Sequence, residues 1–174
     1  ISRNPNSDHF LIEGVAMKSS KVNFDYTIEL PSHFNLELHT SGGDIKCKNI
    51  VGAIQSQTSG GDIEFIGLYG KIVGKTSGGD ITIEDSQGSL SVTTSGGDIE
   101  ILRSEGIISS KTSGGDIEVE NVNGKLTVYT SGGDIELSHI KGNSTEATTS
   151  GGDIEAEYLT GDLMAKTSGG SIEV

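Results

Sequence analysis

Aromatic side chains are scarce in this chain, with four Tyr, four Phe and no Trp among 174 residues. A thick core built on bulky rings is therefore excluded, and at 32% hydrophobic residues the bulk composition leans toward disorder. The single cysteine, Cys47, rules out an internal disulfide framework and any Cys-rich metal centre. No apolar run approaches the roughly 18 residues that span a bilayer, so direct membrane insertion is not expected. No secretory leader is visible, and a start at Ile1 rather than Met is compatible with one removed earlier.

Positive charge is the other deficit. Lys and Arg number 12 against 25 Asp and Glu, a formal net charge of −13. Such a chain does not suit nucleic acid, whose phosphates need basic side chains, and an anionic membrane surface repels it as a whole. From Thr40 onward there are 9 basic and 20 acidic residues, so the acid belongs to the body of the chain and not to a tail.

Glycine is what the chain has in plenty, 26 residues, and its placement is periodic. The phrase Thr-Ser-Gly-Gly-Asp-Ile begins at Thr40, Thr58, Thr76, Thr94, Thr112, Thr130 and Thr149, and Thr167 opens an eighth copy with Ser171 in place of Asp. Starts are 18 residues apart except for one step of 19 between Thr130 and Thr149. A fixed short period marks a stacked architecture.

Numbered from Thr as position 1, each repeat has Ile at position 6 and a mostly aliphatic residue at 8, from Cys47 and Phe65 to Val174. Position 11 is mostly aliphatic, with Ser86 and Ser104 as exceptions; position 13 is Gly; positions 15 and 17 are aliphatic or small. These are two short stretches of period two separated by glycine, which excludes a helix and fits strands with one side buried. The economical fold is all-β: a single-stranded β-solenoid with coils of 18 residues, each residue pairing with its counterparts above and below. The aliphatic-every-six rule of the hexapeptide left-handed helix is not obeyed. The glycines at positions 3, 4 and 13 are expected to turn the corners. The Thr column is expected to face inward with its hydroxyls bonded along the axis, and Cys47 to be a core thiol. The extra residue within Gly142-Asn143-Ser144-Thr145 predicts a bulge.

Residues 1–21 read as a lead-in and cap, with apolar patches at 10–12 and 15–17. Residues 22–174 read as the solenoid, opening with an irregular coil at 22–39 before the repeats at 40–174. Val22, Phe24, Tyr26, Ile28 and Leu30 alternate like a half-buried strand; Pro31-Ser32 breaks it, and Phe34, Leu36 and Leu38 resume it.

The run Tyr26-Thr27-Ile28-Glu29-Leu30-Pro31, then Leu36-Glu37-Leu38 and recurring Ser-Gly-Gly-Asp-Ile, resembles a bacterial family of adhesin-type β-strand-repeat domains, over about residues 22–174. That resemblance implies a right-handed β-solenoid displayed outside the cytoplasm, at the cell surface or in the periplasm, and supplies no catalytic residues, cofactor or metal.

One candidate surface stands out. Asp44, Asp62, Asp80, Asp98, Asp116, Asp134 and Asp153 form a column at position 5, and Glu64, Glu100, Glu118, Glu136 and Glu155, with Glu173, form one at position 7. Both flank the inward Ile and should face out. Cation capture is one reading, by analogy with Gly-rich calcium β-rolls. The favoured one is that each Asp accepts hydrogen bonds from the amides of its own Ser-Gly-Gly turn while Glu solvates the surface, since calcium needs six to eight oxygens. The four histidines are scattered, three of them before Thr40, and none is paired with a Ser or Cys nucleophile in a recognisable context, so no enzyme is expected. Tyr69, Tyr129 and Tyr158 fall at different positions and make no row for stacking a sugar. The expectation is a non-enzymatic binding or adhesion module with an unidentified surface ligand or protein as partner. The alternatives are a structural protein assembling end to end, like bactofilins, or a cation-binding β-roll. A weak homodimer through the C-terminal coil is also expected, because Ser171 relieves acidic repulsion there.

Overall fold

The computed structural model describes residues 27–174, together with the backbone of two earlier strands, β1 (Ser2–Arg3) and β2 (His9–Glu13). The rest of the expected lead-in and cap, and residues 22–26 of the opening coil, lie outside the described residues. Residues 27–30 keep the alternating exposure but belong to no strand. Regular pairing begins at β3 (Asn35–His39).

From there short and long strands alternate. They are β4 (Ile45–Lys48), β5 (Val51–Gln57), β6 (Ile63–Ile66), β7 (Tyr69–Lys75), β8 (Ile81–Glu84), β9 (Gln87–Thr93), β10 (Ile99–Leu102), β11 (Glu105–Lys111) and β12 (Ile117–Glu120). The series continues with β13 (Asn123–Tyr129), β14 (Ile135–Ser138), β15 (Lys141–Thr148), β16 (Ile154–Glu157), β17 (Thr160–Lys166) and β18 (Ile172–Glu173). No helix occurs among the described residues, so none there is long and apolar enough to cross a membrane.

Every strand from β3 on pairs in parallel with its counterpart one coil away; Ile99, for example, lies between Ile81 and Ile117. The short strands form an eight-stranded narrow sheet from β4 to β18, and the long ones extend a ten-stranded wide sheet from β1 to β17. Only β1 against β2 is antiparallel among the described pairs. The chain is thus a β-solenoid, its coils about 4.8 Å apart as hydrogen-bonded strands must be.

The core is a thin seam between the two sheets. Position 6 is buried in seven of its eight copies, from Ile45 to Ile154, and position 8 from Cys47 to Ala156. Across the seam, volumes compensate. Phe65, the largest residue of its column, faces Gly74, where an added Cβ would come within 2.8 Å of the ring. Each fully buried aliphatic contributes roughly 2 kcal/mol, so the repetition, and not any single large side chain, holds the stack together. The exceptional Ser86 and Ser104 are buried because the Oγ of each donates to a backbone carbonyl two residues earlier, and each accepts from an amide one coil below.

The corners are built differently from the expectation. At positions 3 and 4 the glycines adopt no left-handed backbone; position 10 does, through Asn49, Asp85, Arg103, Asn121, His139, Tyr158 and Gly67, with φ between 46° and 63°. The position-4 glycines serve close approach instead. A Cβ on Gly97 would lie 2.1 Å from the carbonyl oxygen of Gly79 in the coil below, whereas one on Gly96 would meet nothing nearer than 3.7 Å. Position 13 shows both demands: Gly106 has φ of 127°, and its Cβ would lie 2.0 Å from Gly88 O.

The bulge falls where the extra residue predicts. Asn123 pairs with Lys141 but Lys125 with Ser144, so Gly142 and Asn143 together oppose Gly124. Beyond it Thr145, buried, takes the aliphatic site between Leu126 and Leu163.

Candidate functional site

The Thr-Ser-Gly-Gly-Asp corner leads into each short strand and orients everything on the narrow outer surface. Thr at position 1 points inward as expected. Its hydroxyl does not meet its neighbours in the Thr column: Thr94 Oγ1 donates to Gly79 O of the coil below at 2.8 Å and accepts from Gly97 N–H of its own coil at 3.3 Å. The same pair of bonds recurs from Thr58 to Thr167. A buried hydroxyl so engaged satisfies two backbone groups at once.

Asp at position 5 is exposed in all seven copies, and its bonding corrects the expectation. Each Asp accepts from the next coil and not from its own turn: Asp116 N–H donates to Asp98 Oδ1 at 2.8 Å, and Asp134 N–H to Asp116 Oδ1 at 2.8 Å. The ladder runs from Asp44, Asp62 and Asp80 through Asp153, ending where Ser171 N–H donates to Asp153 Oδ1. These are charge-assisted bonds, which offset part of the repulsion between stacked carboxylates.

The Glu column completes the surface. Glu118, Glu136 and Glu155 are exposed, Glu64 and Glu100 half-buried, and a shallow groove runs between the two acidic columns from Asp98 to Glu136. No group of three ligating side chains positioned to hold a metal occurs among the described residues. Two basic residues nearby are held by carboxylates, Lys46 by Glu64, and Arg103 by Glu84 and by Asp85, the last at 2.8 Å. Lys48 in β4 is exposed without an ion pair among the described residues. The bonds to Glu64 and to Asp85 raise the affinity of these two side chains for their protons.

The wide outer surface has another chemistry. Its strands in the repeats carry six lysines, Lys71, Lys75, Lys111, Lys125, Lys141 and Lys166, against Glu105, Glu146 and Asp162. Tyr129 lies beneath the Lys111 ammonium, and Ser131, Ser150 and that lysine lower its phenol below the usual tyrosine range. Cys47 is buried as expected, and burial pushes its thiol up to about 11.

Residues 8–174 match the family described as Toastrack DUF4097. The chain belongs to that family. No curated protein and no solved structure matches it. The Toastrack match establishes a β-repeat domain of unknown function and assigns no ligand. Two features of this Toastrack solenoid escaped the sequence reading. The left-handed corner at position 10 was signalled by Asn49, Gly67, Asp85 and Asn121, residues that tolerate this backbone. The stacking of Tyr158 on His139, centroids 4.8 Å apart, joins corner residues of adjacent coils and was hidden because one of them is not an aromatic of the Phe-Trp-Tyr set.

Proposed function

We propose that the domain is a non-enzymatic binding or adhesion module working outside the cytoplasm. The observation that carries this reading is the division of labour within the repeat. Inward positions are committed to the core, Thr and the position-4 and position-13 glycines to contacts between coils, and the outward columns remain to be presented. From Thr40 onward no coil departs from its neighbours by more than one residue, so side chains are offered on flat ladders and not gathered in a cleft. Such a surface suits partners that are themselves extended.

Binding of the fluorescently labelled domain to intact bacterial cells tests the reading. Saturable binding, competed by unlabelled domain, is expected; binding that neither saturates nor competes overturns it. Protease accessibility of the native protein in intact cells and in spheroplasts tests the compartment, with protection in both counting against an extracytoplasmic site.

A further inference from the structure

Charge is sorted between the two outer surfaces, and the cations differ in their company. On the narrow side Lys46 and Arg103 are neutralised by neighbouring carboxylates, and Lys48 alone is exposed without one among the described residues. On the wide side none of the six lysines has a carboxylate partner among the described residues, and all six are exposed. That same surface holds exposed apolar side chains: Val51, Tyr69, Ile107 at 62% and Met164 at 66% exposure. The parallel register sets Lys71, Ser89, Ile107 and Lys125 in one column, an apolar residue between two ammonium groups.

The net charge of the whole chain does not decide what this surface meets. Facing sheets lie about 10 Å apart, and outward side chains add several ångströms on each side. The acidic columns therefore stand beyond the screening length of about 8 Å at physiological ionic strength. Locally, six lysines stand against Glu105, Glu146 and Asp162 on the wide strands of the repeats, so this surface is net basic and partly apolar.

We propose that the outer surface of the wide sheet adsorbs to an anionic lipid surface, its lysines among the headgroups and Ile107 and Tyr69 in the apolar boundary beneath them. Stems of lysine side chains lie along apolar surface while their heads stay polar, so the two residue classes fit one interface. A second copy's acidic ladder would satisfy the lysines but would set Ile107 against carboxylates. A lipid boundary accepts both. The proposal rests on the binding-module reading and names its partner.

Flotation with vesicles of phosphatidylcholine alone, or mixed with phosphatidylglycerol, tests it on the whole chain. Wild type is expected to float with the mixed vesicles only, and to be released by high salt. Lys71→Gln, Lys111→Gln and Lys125→Gln combined should weaken binding about a hundredfold, at roughly fivefold per lysine. Ile107→Ser should weaken it several-fold, and Glu118→Gln on the acidic side should not. Absence of binding to the mixed vesicles, or equal binding by the triple variant, overturns the proposal. So does self-association of wild type without vesicles that the triple variant loses, which assigns the surface to a second copy. Saturable cell binding that survives the triple substitution leaves the module reading standing while removing this one.

Discussion

Gly96 and Gly97 are neighbours in sequence with opposite tolerances. A side chain on Gly97 runs into the backbone of the coil below, 2.1 Å from Gly79 O, and backbone cannot rotate out of the way. Gly96 has room, and its backbone is one an alanine adopts. Gly97→Ala is therefore expected to cost several kcal/mol, and Gly96→Ala to be neutral or to stabilise by up to about 1 kcal/mol through the unfolded chain. Thermal melts of the two variants decide it, and equal effects would remove close approach as the reason for position 4. Ser110 offers a second test at this scale. Its Oγ is buried without a hydrogen-bond partner, unlike Ser86 and Ser104 at position 11. An unpaired buried hydroxyl costs about 1–3 kcal/mol, so Ser110→Ala should raise the melting temperature although it removes an atom from the core. Cys47 should resist alkylation in the folded protein, because a thiol pushed to about 11 holds almost no thiolate at neutral pH.

At the level of the coil, the bulge in β15 separates what register demands from what it tolerates. Gly142 and Asn143 share one partner, so removing Asn143 restores an 18-residue coil and leaves every inward residue inward. Deleting Thr127 from β13 instead shifts the rest of that strand by one place and turns Val128 outward. The first deletion is expected to keep the fold with little change in melting temperature, and the second to disrupt it; circular dichroism and melting curves distinguish them. Coil length, the inward columns and the bulge were all legible because each is a statement about period, which eight copies repeat. The corner at position 10 was less so, since Arg103 and Tyr158 are poor left-handed residues, held there by the ladders on either side. The acidic columns were legible as a surface. Their bonding was not, because a bond from Asp116 N–H to Asp98 crosses 18 residues and depends on the rotamer the stack selects. The sorting of lysines onto the wide sheet was present in the sequence too, but it shows only once both sheets have an outside.

For the whole molecule the open question is what stacked carboxylates do to a solenoid that already carries a net charge of −13. Each ladder Asp has one oxygen taken by an amide of the next coil, as Asp98 Oδ1 is by Asp116 N–H. That leaves too few free oxygens per coil for calcium, which takes six to eight in a closed shell. Repulsion along the columns remains and is screened by any salt. The melting temperature is therefore expected to rise as sodium chloride is added from low ionic strength, and calcium is expected to raise it no more than magnesium at matched ionic strength. Asp98→Asn with Asp116→Asn keeps an acceptor oxygen on each side chain while removing two charges from the middle of the ladder. At low salt this variant should melt higher than wild type, and at high salt the difference should vanish. A ligand bound only by the folded form would instead add stability that grows with its concentration as RT ln(1 + [L]/Kd). A calcium-selective rise in melting temperature, lost in the double variant, would show that the ladder captures cations and would replace the bracing role assigned to it.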